Sequence, residues 1–510
     1  MVASLLKVLT TGIQNERLYF KPTLYPFIKV WYKVGRFTTQ WQRIDFDSAP
    51  QFGQKSFITL PTKGHLITRL YLVATMPDIW TPQLQARQLA EPAPFVGPTF
   101  GWTNSLGHAL VANLTLDIGG TRVEQIDSNL LEVLDEYLTP MEKVTVTNRL
   151  IKRLDNGFTE DSFGHTITPT VVTTPLPFWF ARGDPACALP IDAILADEIK
   201  VGIEFRPLNS LYYTNSRNPT NTSDAEGTSL WPLLNSPFYK VDPMGTPPPP
   251  GLAIPPGVSA PTVTPIQNVS MPQNLFLGEC YLMAEYIYLD QPEANKFRIG
   301  DLQYPITQHY RMKTIHTQGV PRAIMPLDIP NPTRDIYWMI QRIEAPTYNA
   351  HFLATRDLSA PNSTELWWPN AEGLNARYPS FLYPAFAYSD SEPLKAYGIV
   401  YEGTLVRMRT EAPSAFRSIL PSYECKKSPW VNRYYYNFPL GIYNGTTTVS
   451  RPRGEANLDK IQKRELYLEF APNRGCTNPN DVPKYIVYAW AETYNVLRVY
   501  GGRAGCLFSY

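Results

Sequence analysis

DEIKVGIEFRP, residues 197–207, and KRELYLEFAP, residues 463–472, are nearly the same strand written twice. In the first, Val201, Ile203 and Phe205 share one face; in the second, Leu466, Leu468 and Phe470 do. A period of two belongs to a strand with one buried side. Both stretches close on Glu-Phe-x-Pro, and Phe205 and Phe470 stand 265 positions apart (470 less 205). TRLYLVATMP (68–77) and TRDIYWMIQR (333–342) repeat at almost that offset, with Tyr71 and Tyr337 266 apart (337 less 71). Two looser pairs follow: the aromatic runs PLPFWFARGDP (175–185) and RYYYNFPLG (433–441), and the strands YLMAEYIYLD (281–290) and KYIVYAWAETYNVLRV (484–499). Four matches in one order predict a tandem duplication of a unit of roughly 250 residues.

The bulk numbers agree with two units. A chain of 510 residues exceeds what one hydrophobic core serves. With 44% hydrophobic and 18% charged residues, disorder over most of the length is excluded. Lys plus Arg (46) balances Asp plus Glu (45) without a long basic run, which argues against a surface built to neutralise phosphates. Aromatics at 13%, 49 prolines and scarce 3.6-residue periodicity give the profile of an all-β chain with many turns. The five cysteines (Cys187, Cys280, Cys425, Cys476, Cys506) form no CxxC, so neither a zinc site nor a disulfide framework is indicated. The N-terminal apolar run is too short for a signal peptide or a membrane span, and synthesis in the cytosol is expected.

Along the chain, residues 1–24 read as an arm, 25–290 as a first unit, 291–303 (QPEANKFRIGD and the two residues after it) as a linker, and 304–510 as a second unit. Strands are expected at FIKVWYKV (27–34), KSFITL (55–60) and ITRLYLVATM (67–76), and Gly119-Gly120 marks a tight hairpin within 109–126. One helix is predicted with Asn129 as its cap, Glu132 three residues later, an apolar stripe of Leu130, Val133, Leu134 and Tyr137, and Pro140 as its stop. ACALPIDAILADE (186–198) is expected to form a second, short helix. The Pro-rich stretch 207–273 reads as irregular and shrinks to NRGCTNPNDVP (473–483) in the repeat, so it should point away from the shared core. About eight strands per unit around a helical excursion predict two tandem eight-stranded antiparallel jelly rolls with long loops. A plain β-sandwich has the same periodicity.

Residues that could carry chemistry form no constellation. Asp135-Glu136 and Asp197-Glu198 are adjacent carboxylates, whereas a glycosidase needs two across a cleft; Asp135-Glu136 read as a solvated helix face. The six histidines form no HxH or HExxH, and His309 and His316 would fall on opposite faces of one strand. No GxSxG, P-loop or GxGxxG occurs. Glycosylation sequons stand at Asn113, Asn221, Asn268, Asn362 and Asn444, with Asn113 set in a strand and the other four left as candidate acceptors. No catalytic, metal or cofactor residue is singled out. A carbohydrate-binding or carbohydrate-active β-sandwich is the alternative to a structural building block.

The succession resembles the double jelly-roll major capsid proteins of the nucleocytoplasmic large DNA viruses. The resemblance rests on LYFKPTLYPFIKVWYK (18–33), LPFWFARGDPACALPIDAILADEIKVGIEF (176–205), AEYIYLDQPEANKF (284–297), NPTRDIYWMIQ (331–341) and YNVLRVYGGRAGCLFSY (494–510). Two places depart from the family pattern. Only Lys296 and Arg298 flank Phe297 where the family carries an arginine cluster, and SRPRGEANLDKI (450–461) replaces a Pro-Ser-Gly then Phe-Ser-Arg run. The resemblance implies a non-enzymatic homotrimer without cofactors, a capsomer packed against neighbouring capsomers in an icosahedral shell. It also implies minor capsid and penton proteins as partners, no direct contact with nucleic acid, and at most an indirect link to an inner virion membrane. It places the 207–273 loop outward, the 1–24 arm beneath, and the protein in the virion after assembly in the host cytoplasm.

Overall fold

A computed structural model of the chain describes residues 36–77, 100–103, 105–153, 170–182, 185–214, 239–242, 262–265, 275–343, 351–352, 392–403, 405–410, 412–425, 427–429, 434–441, 454–472, 482 and 484–508. Among the described residues sixteen strands build two barrels. The first has β1 (Phe37–Asp45), β2 (Lys55–Thr59), β3 (Leu66–Met76), β4 (Val111–Ile118), β5 (Thr121–Asp127), β6 (Thr170–Pro175), β7 (Ile199–Phe205) and β8 (Cys280–Leu289). The second has β9 (Leu302–Arg311), β10 (Arg322–Pro326), β11 (Thr333–Arg342), β12 (Leu394–Tyr401), β13 (Leu405–Thr410), β14 (Tyr435–Pro439), β15 (Arg464–Phe470) and β16 (Tyr485–Tyr500).

The first barrel pairs its strands in the orders β1-β8-β3-β6 and β2-β7-β4-β5, and the second in the orders β9-β16-β11-β14 and β10-β15-β12-β13. Adding eight to each first-barrel label gives the second barrel. Every pairing in these ladders is antiparallel, and the chain crosses between the two sheets of each barrel, which makes each a jelly roll. Short pieces add to the scaffold: Ile315–His316 and Arg503–Cys506 pair with β16, and Phe100–Trp102 pairs with Tyr212–Thr214.

The alternation read from sequence puts Val201, Ile203 and Phe205 of β7 and Leu466, Leu468 and Phe470 of β15 into their respective cores, each at most 2% exposed. Burying each such side chain is worth about 1.5–3 kcal/mol. The strand pairs quoted from 197–207 and 463–472, from 68–77 and 333–342, and from 281–290 and 484–499 occupy equivalent places in the two barrels. The aromatic runs do not: RYYYNFPLG contains β14, whereas the run after Pro175 lies beyond β6, in a 3-10 turn at Trp179–Ala181.

Among the described residues four helices flank the first barrel and its exit: α1 (Leu106–Leu110), α2 (Ser128–Leu138), α3 (Val144–Ile151) and α4 (Gln291–Ile299). A fifth, α5 (Pro413–Glu424), follows β13. Several expectations are corrected. The cap of α2 is Asp127, whose Oδ1 accepts the Leu130 N–H at 2.8 Å, because β5 runs straight into the helix and leaves Asn129 inside it. The 186–198 stretch forms 3-10 turns at Pro185–Cys187 and Ile191–Ala193, broken by Pro190. The 291–303 stretch, read as a linker, carries the helix Gln291–Ile299, opened by a proline in its first turn. Within 207–273, Tyr239–Asp242 and Thr262–Pro265 form an antiparallel ladder, so that stretch is not irregular throughout. The 1–24 arm and FIKVWYKV lie outside the described residues.

Candidate functional site at the seam between the barrels

The β11 run Ile336–Ile340 buries both of its faces. Ile336, Trp338 and Ile340 point into the second barrel's own core, while Tyr337 and Met339 join the first barrel's core cluster together with Tyr435 and Trp490. A strand buried on both sides reads as a continuous apolar run, and DIYWMI does. The seam is apolar at its centre, where the Tyr137 ring of α2 lies 5.5 Å from that of Tyr337.

Directional bonds fix its register. Trp490 Nε1 donates to Asp127 Oδ2 at 3.1 Å, and Arg311 Nη1 sits 3.2 Å from the same oxygen. Asp127 thus caps α2 with one oxygen and ties the second barrel with the other. Gln308 Nε2 donates to the Val123 carbonyl at 2.5 Å, while Gln308 Oε1 accepts from Asn495 Nδ2 at 2.7 Å. At the far end the Ala196 N–H donates to the Gly502 carbonyl at 2.9 Å, and Asp197 Oδ2 accepts the Ala504 N–H at 3.0 Å.

A buried charge network crosses the same seam. Arg182 Nη1 donates to Glu492 Oε1 at 2.6 Å and Arg182 Nη2 reaches His309 Nε2 at 3.1 Å. A guanidinium can only donate, so His309 Nε2 accepts and its Nδ1 carries the proton shared with Glu124 Oε1 at 2.7 Å. Burial alone would raise the Glu492 carboxyl, but the adjoining Arg334 and Arg182 guanidiniums outweigh it and hold the group well below the usual carboxylate range. Asp335 goes the other way: burial, and then the charge on Glu492, push it up to about 8. At neutral pH one carboxylate is therefore ionised and its neighbour protonated.

A second cluster surrounds α2. Arg153 donates to Glu132 at 2.7 Å and also meets Asp135 and, at 3.3 Å, Glu136. His108 Nδ1 lies 2.6 Å from Glu132 Oε2, and Lys427, from the second unit, lies 3.2 Å from Glu136. Asp135-Glu136 are thus not a solvated face; the chain after α2 and the segment at 427 cover them. Burial would raise the Asp135 carboxyl, but the charges of Arg153, His108 and Lys427 and the Thr139 hydrogen bond together outweigh it and lower it. Of the other adjacent pair, Asp197 holds the 503–506 strand as above, while exposed Glu198 pairs with Lys200 at 2.7 Å. Arg153, Arg182 and Lys427 carry these clusters, and no local sequence signal marks them. The carboxylates are clamped to cations across the seam and around α2, an arrangement for rigidity rather than for proton transfer.

The remaining candidates are scattered. His65 Nδ1 accepts the Leu289 N–H at 2.8 Å, His316 is exposed, and His351 donates to the Ser210 carbonyl at 2.7 Å, with burial, then Arg206, pushing its pKa down to about 4. Cys280 is a buried thiol whose pKa burial pushes up to about 12. Asn113 lies in β4; Asn221, Asn268, Asn362 and Asn444 lie outside the described residues. Among the described residues no His, Cys, Asp and Glu group of three or more could hold a metal, and no helix is long and apolar enough to cross a membrane.

Comparison with known proteins bears on what this architecture belongs to. Residues 26–233 match the family model of the major capsid protein N-terminus. The major capsid protein of Pyramimonas orientalis virus is 27% identical over 208 residues, 40% of this chain and 47% of that protein. Among solved structures, the quasi-atomic model of the PBCV-1 virus capsid has a TM-score of 0.64 at 17% identity, covering 95% of this chain and 100% of that one. The Faustovirus major capsid protein has a TM-score of 0.62 at 12% identity, covering 96% and 94%. The matches span 36–59% of the length of the curated relatives. The fold is the double jelly roll of viral capsid proteins. The chain is related to the major capsid proteins of nucleocytoplasmic large DNA viruses, as the resemblance in its sequence implied.

Proposed function

We propose that the chain is the structural major capsid protein of a large double-stranded DNA virus, a homotrimer whose capsomers tile an icosahedral shell. The observation that supports this is the strand-for-strand repeat of one barrel in the other, welded by a buried seam into a single two-barrel block. Three such blocks in a closed ring present six like barrels, a pseudo-hexagonal outline produced by threefold assembly. The 291–303 segment divides the two barrels in this reading, and the working place is the virion, with minor capsid and penton proteins as neighbours. Near-balance of positive and negative side chains suits dense packing of many copies.

Light scattering of the purified chain tests the proposal. A trimer has three times 57.8 kDa, about 173 kDa, and should show a hexagonal outline in negative stain. A stable monomer that binds or hydrolyses glycans would instead favour the β-sandwich alternative.

A further inference from the structure

His309 of β9 is gripped in the seam by two side chains of the first barrel, one on each ring nitrogen. Glu124 of β5 accepts from Nδ1 at 2.7 Å, and Arg182, just after the 3-10 turn at Trp179–Ala181, donates to Nε2 at 3.1 Å. The same guanidinium serves two further acceptors. Its Nη1 donates to Glu492, which lies opposite His309 in the β9–β16 ladder, and its Nε donates to the Pro177 carbonyl at 3.2 Å. Arg182 therefore ties its own turn to the second barrel. One of its three bonds exists only while His309 Nε2 is a bare acceptor.

Every element around His309 brings a charged or titratable group. β5 presents Glu124, and the turn presents Arg182. β16 presents Glu492, with Tyr494 two residues on. β11 presents Arg334, 3.6 Å from Glu492 Oε1, the protonated Asp335, and Tyr337, whose hydroxyl donates to Glu492 Oε2 at 3.4 Å. Along β9 itself Arg311 is engaged with Asp127 at 3.2 Å, and Cys506, near Glu124, is a thiol that burial pushes up to about 11. Two arginines thus stand against two glutamates, and a neutral imidazole keeps that set balanced. A proton on Nε2 adds a buried positive charge and turns the acceptor into a donor aimed at Arg182. Two N–H donors cannot share that contact, so one side chain must leave. The His309 side chain is fully buried and anchored at Nδ1, whereas the Arg182 side chain is 12% exposed and already reaches solvent.

We propose that His309 is a proton-operated latch between the barrels: its imidazolium bonds Glu124 with one nitrogen and Glu492 with the other, expels Arg182 from the seam and frees the 177–182 turn. Acidification then loosens the hold of the first barrel on the second while both cores stay packed, and a return to neutral pH restores it. The latch belongs to a single chain and needs no assembly. In a shell it would soften each two-barrel block without unfolding it, a consequence that rests on the capsomer reading.

Hydrogen–deuterium exchange of the full chain at pH 7 and pH 5, each rate divided by the intrinsic rate at that pH, tests the latch whatever the oligomeric state. Both pH values lie below about 8, so Asp335 stays protonated throughout. The reporter is the Ala181 N–H, which donates to the Phe178 carbonyl at 2.8 Å inside the turn. In the wild type its protection should fall about tenfold at pH 5, the loss of one charge-assisted hydrogen bond. His309→Gln keeps an acceptor and a donor without a titratable ring, and should hold the pH 7 protection at both pH values. Arg182→Ala should show the lowered protection at both. Equal wild-type protection at the two pH values overturns the latch, as does a fall that persists in His309→Gln. Wild-type protection in Arg182→Ala at pH 7 overturns the role given to Arg182. If His309→Gln does not fold, Glu124→Gln serves instead: it removes the charge that favours the imidazolium and should move the loss of protection to lower pH. A loss that stays at the wild-type pH in Glu124→Gln overturns the latch.

Discussion

The two barrels share one strand order and fill it with different side chains. The first core is mainly aliphatic between its sheets, built on Ile58, Leu72, Leu114, Leu116, Val201 and Ile203, with Phe205 at one end. The second is aromatic: Trp338 stacks on Tyr436 with centroids 5.5 Å apart, meets Tyr397 edge-on at 5.2 Å, and Phe470 stacks on Tyr485 at 5.2 Å. Aromatic cores bring polar tips that need partners. The Tyr436 hydroxyl donates to Glu392, and Glu392 pairs with Arg417 at 3.3 Å, whose guanidinium lies 5.0 Å over the Tyr434 ring. Among the described residues the first barrel keeps its buried charges outside its core, around α2, in the seam and, at Asp192, against Arg298 of α4. Strand order is thus set by alternation and turns, and the choice of apolar residue decides only where polar groups must be wired in.

The largest effect expected from breaking that contrast is at Arg153. Arg153→Ala would leave Glu132, Asp135 and Glu136 buried without their guanidinium, and urea unfolding should show a loss of about 5 kcal/mol. Trp338→Ala should cost about 4 kcal/mol by the same measurement, from a cavity in the stacked aromatic core. A much smaller loss at Trp338 would mean that the second core is loosely packed, and the contrast would fail.

The seam supplies a pH signature of its own at Asp335. Asp335 has a folded pKa of about 8 against an ordinary value of 3.8, so the folded state holds a proton that the unfolded chain has released. Its contribution is fully present below about pH 4 and is lost as pH rises through about 8. Asp335→Asn mimics the protonated acid. Urea midpoints at pH 6 and pH 9 should differ less in this variant than in the wild type, with the variant the more stable at pH 9. An unchanged pH slope would show that Asp335 is ionised in the folded protein.

The smallest effect belongs to the β4–β5 turn. Gly119 and Gly120 have φ of +57° and +79°, and a Cβ on Gly120 meets nothing within 4 Å. Gly120→Ala should therefore cost only backbone strain, about 1 kcal/mol, read as a small shift of the urea midpoint. Gly119→Ala should cost more, because its Cβ would come within 2.9 Å of the Asp197 carboxyl that secures the 503–506 strand.

The sequence discloses what is encoded locally. Alternation in DEIKVGIEF and RELYLEF announced strands, and Gly119-Gly120 announced the hairpin, because each depends on neighbours one or two residues away. The seam was hidden, since Glu492 meets Arg182 across 310 positions and Trp490 meets Asp127 across 363. Asp135-Glu136 misled for the same reason: the polar side of an amphipathic helix looks solvated until a distant arginine and lysine cover it. The only local hint of the seam was DIYWMI, too apolar for a strand with one wet side.

The strand order also has a consequence for synthesis. In each barrel the last strand made is an interior one: β8 inserts between β1 and β3, and β16 between β9 and β11. Trp41 must wait for Glu285, its ladder partner, before the first sheet can close. While the ribosome works through the intervening chain, both β1 and β3 present open edges to whatever is nearby, including the same strands of other nascent copies. A protein made in the numbers a shell requires would gain most from help at that moment, before β8 emerges, rather than after folding is complete.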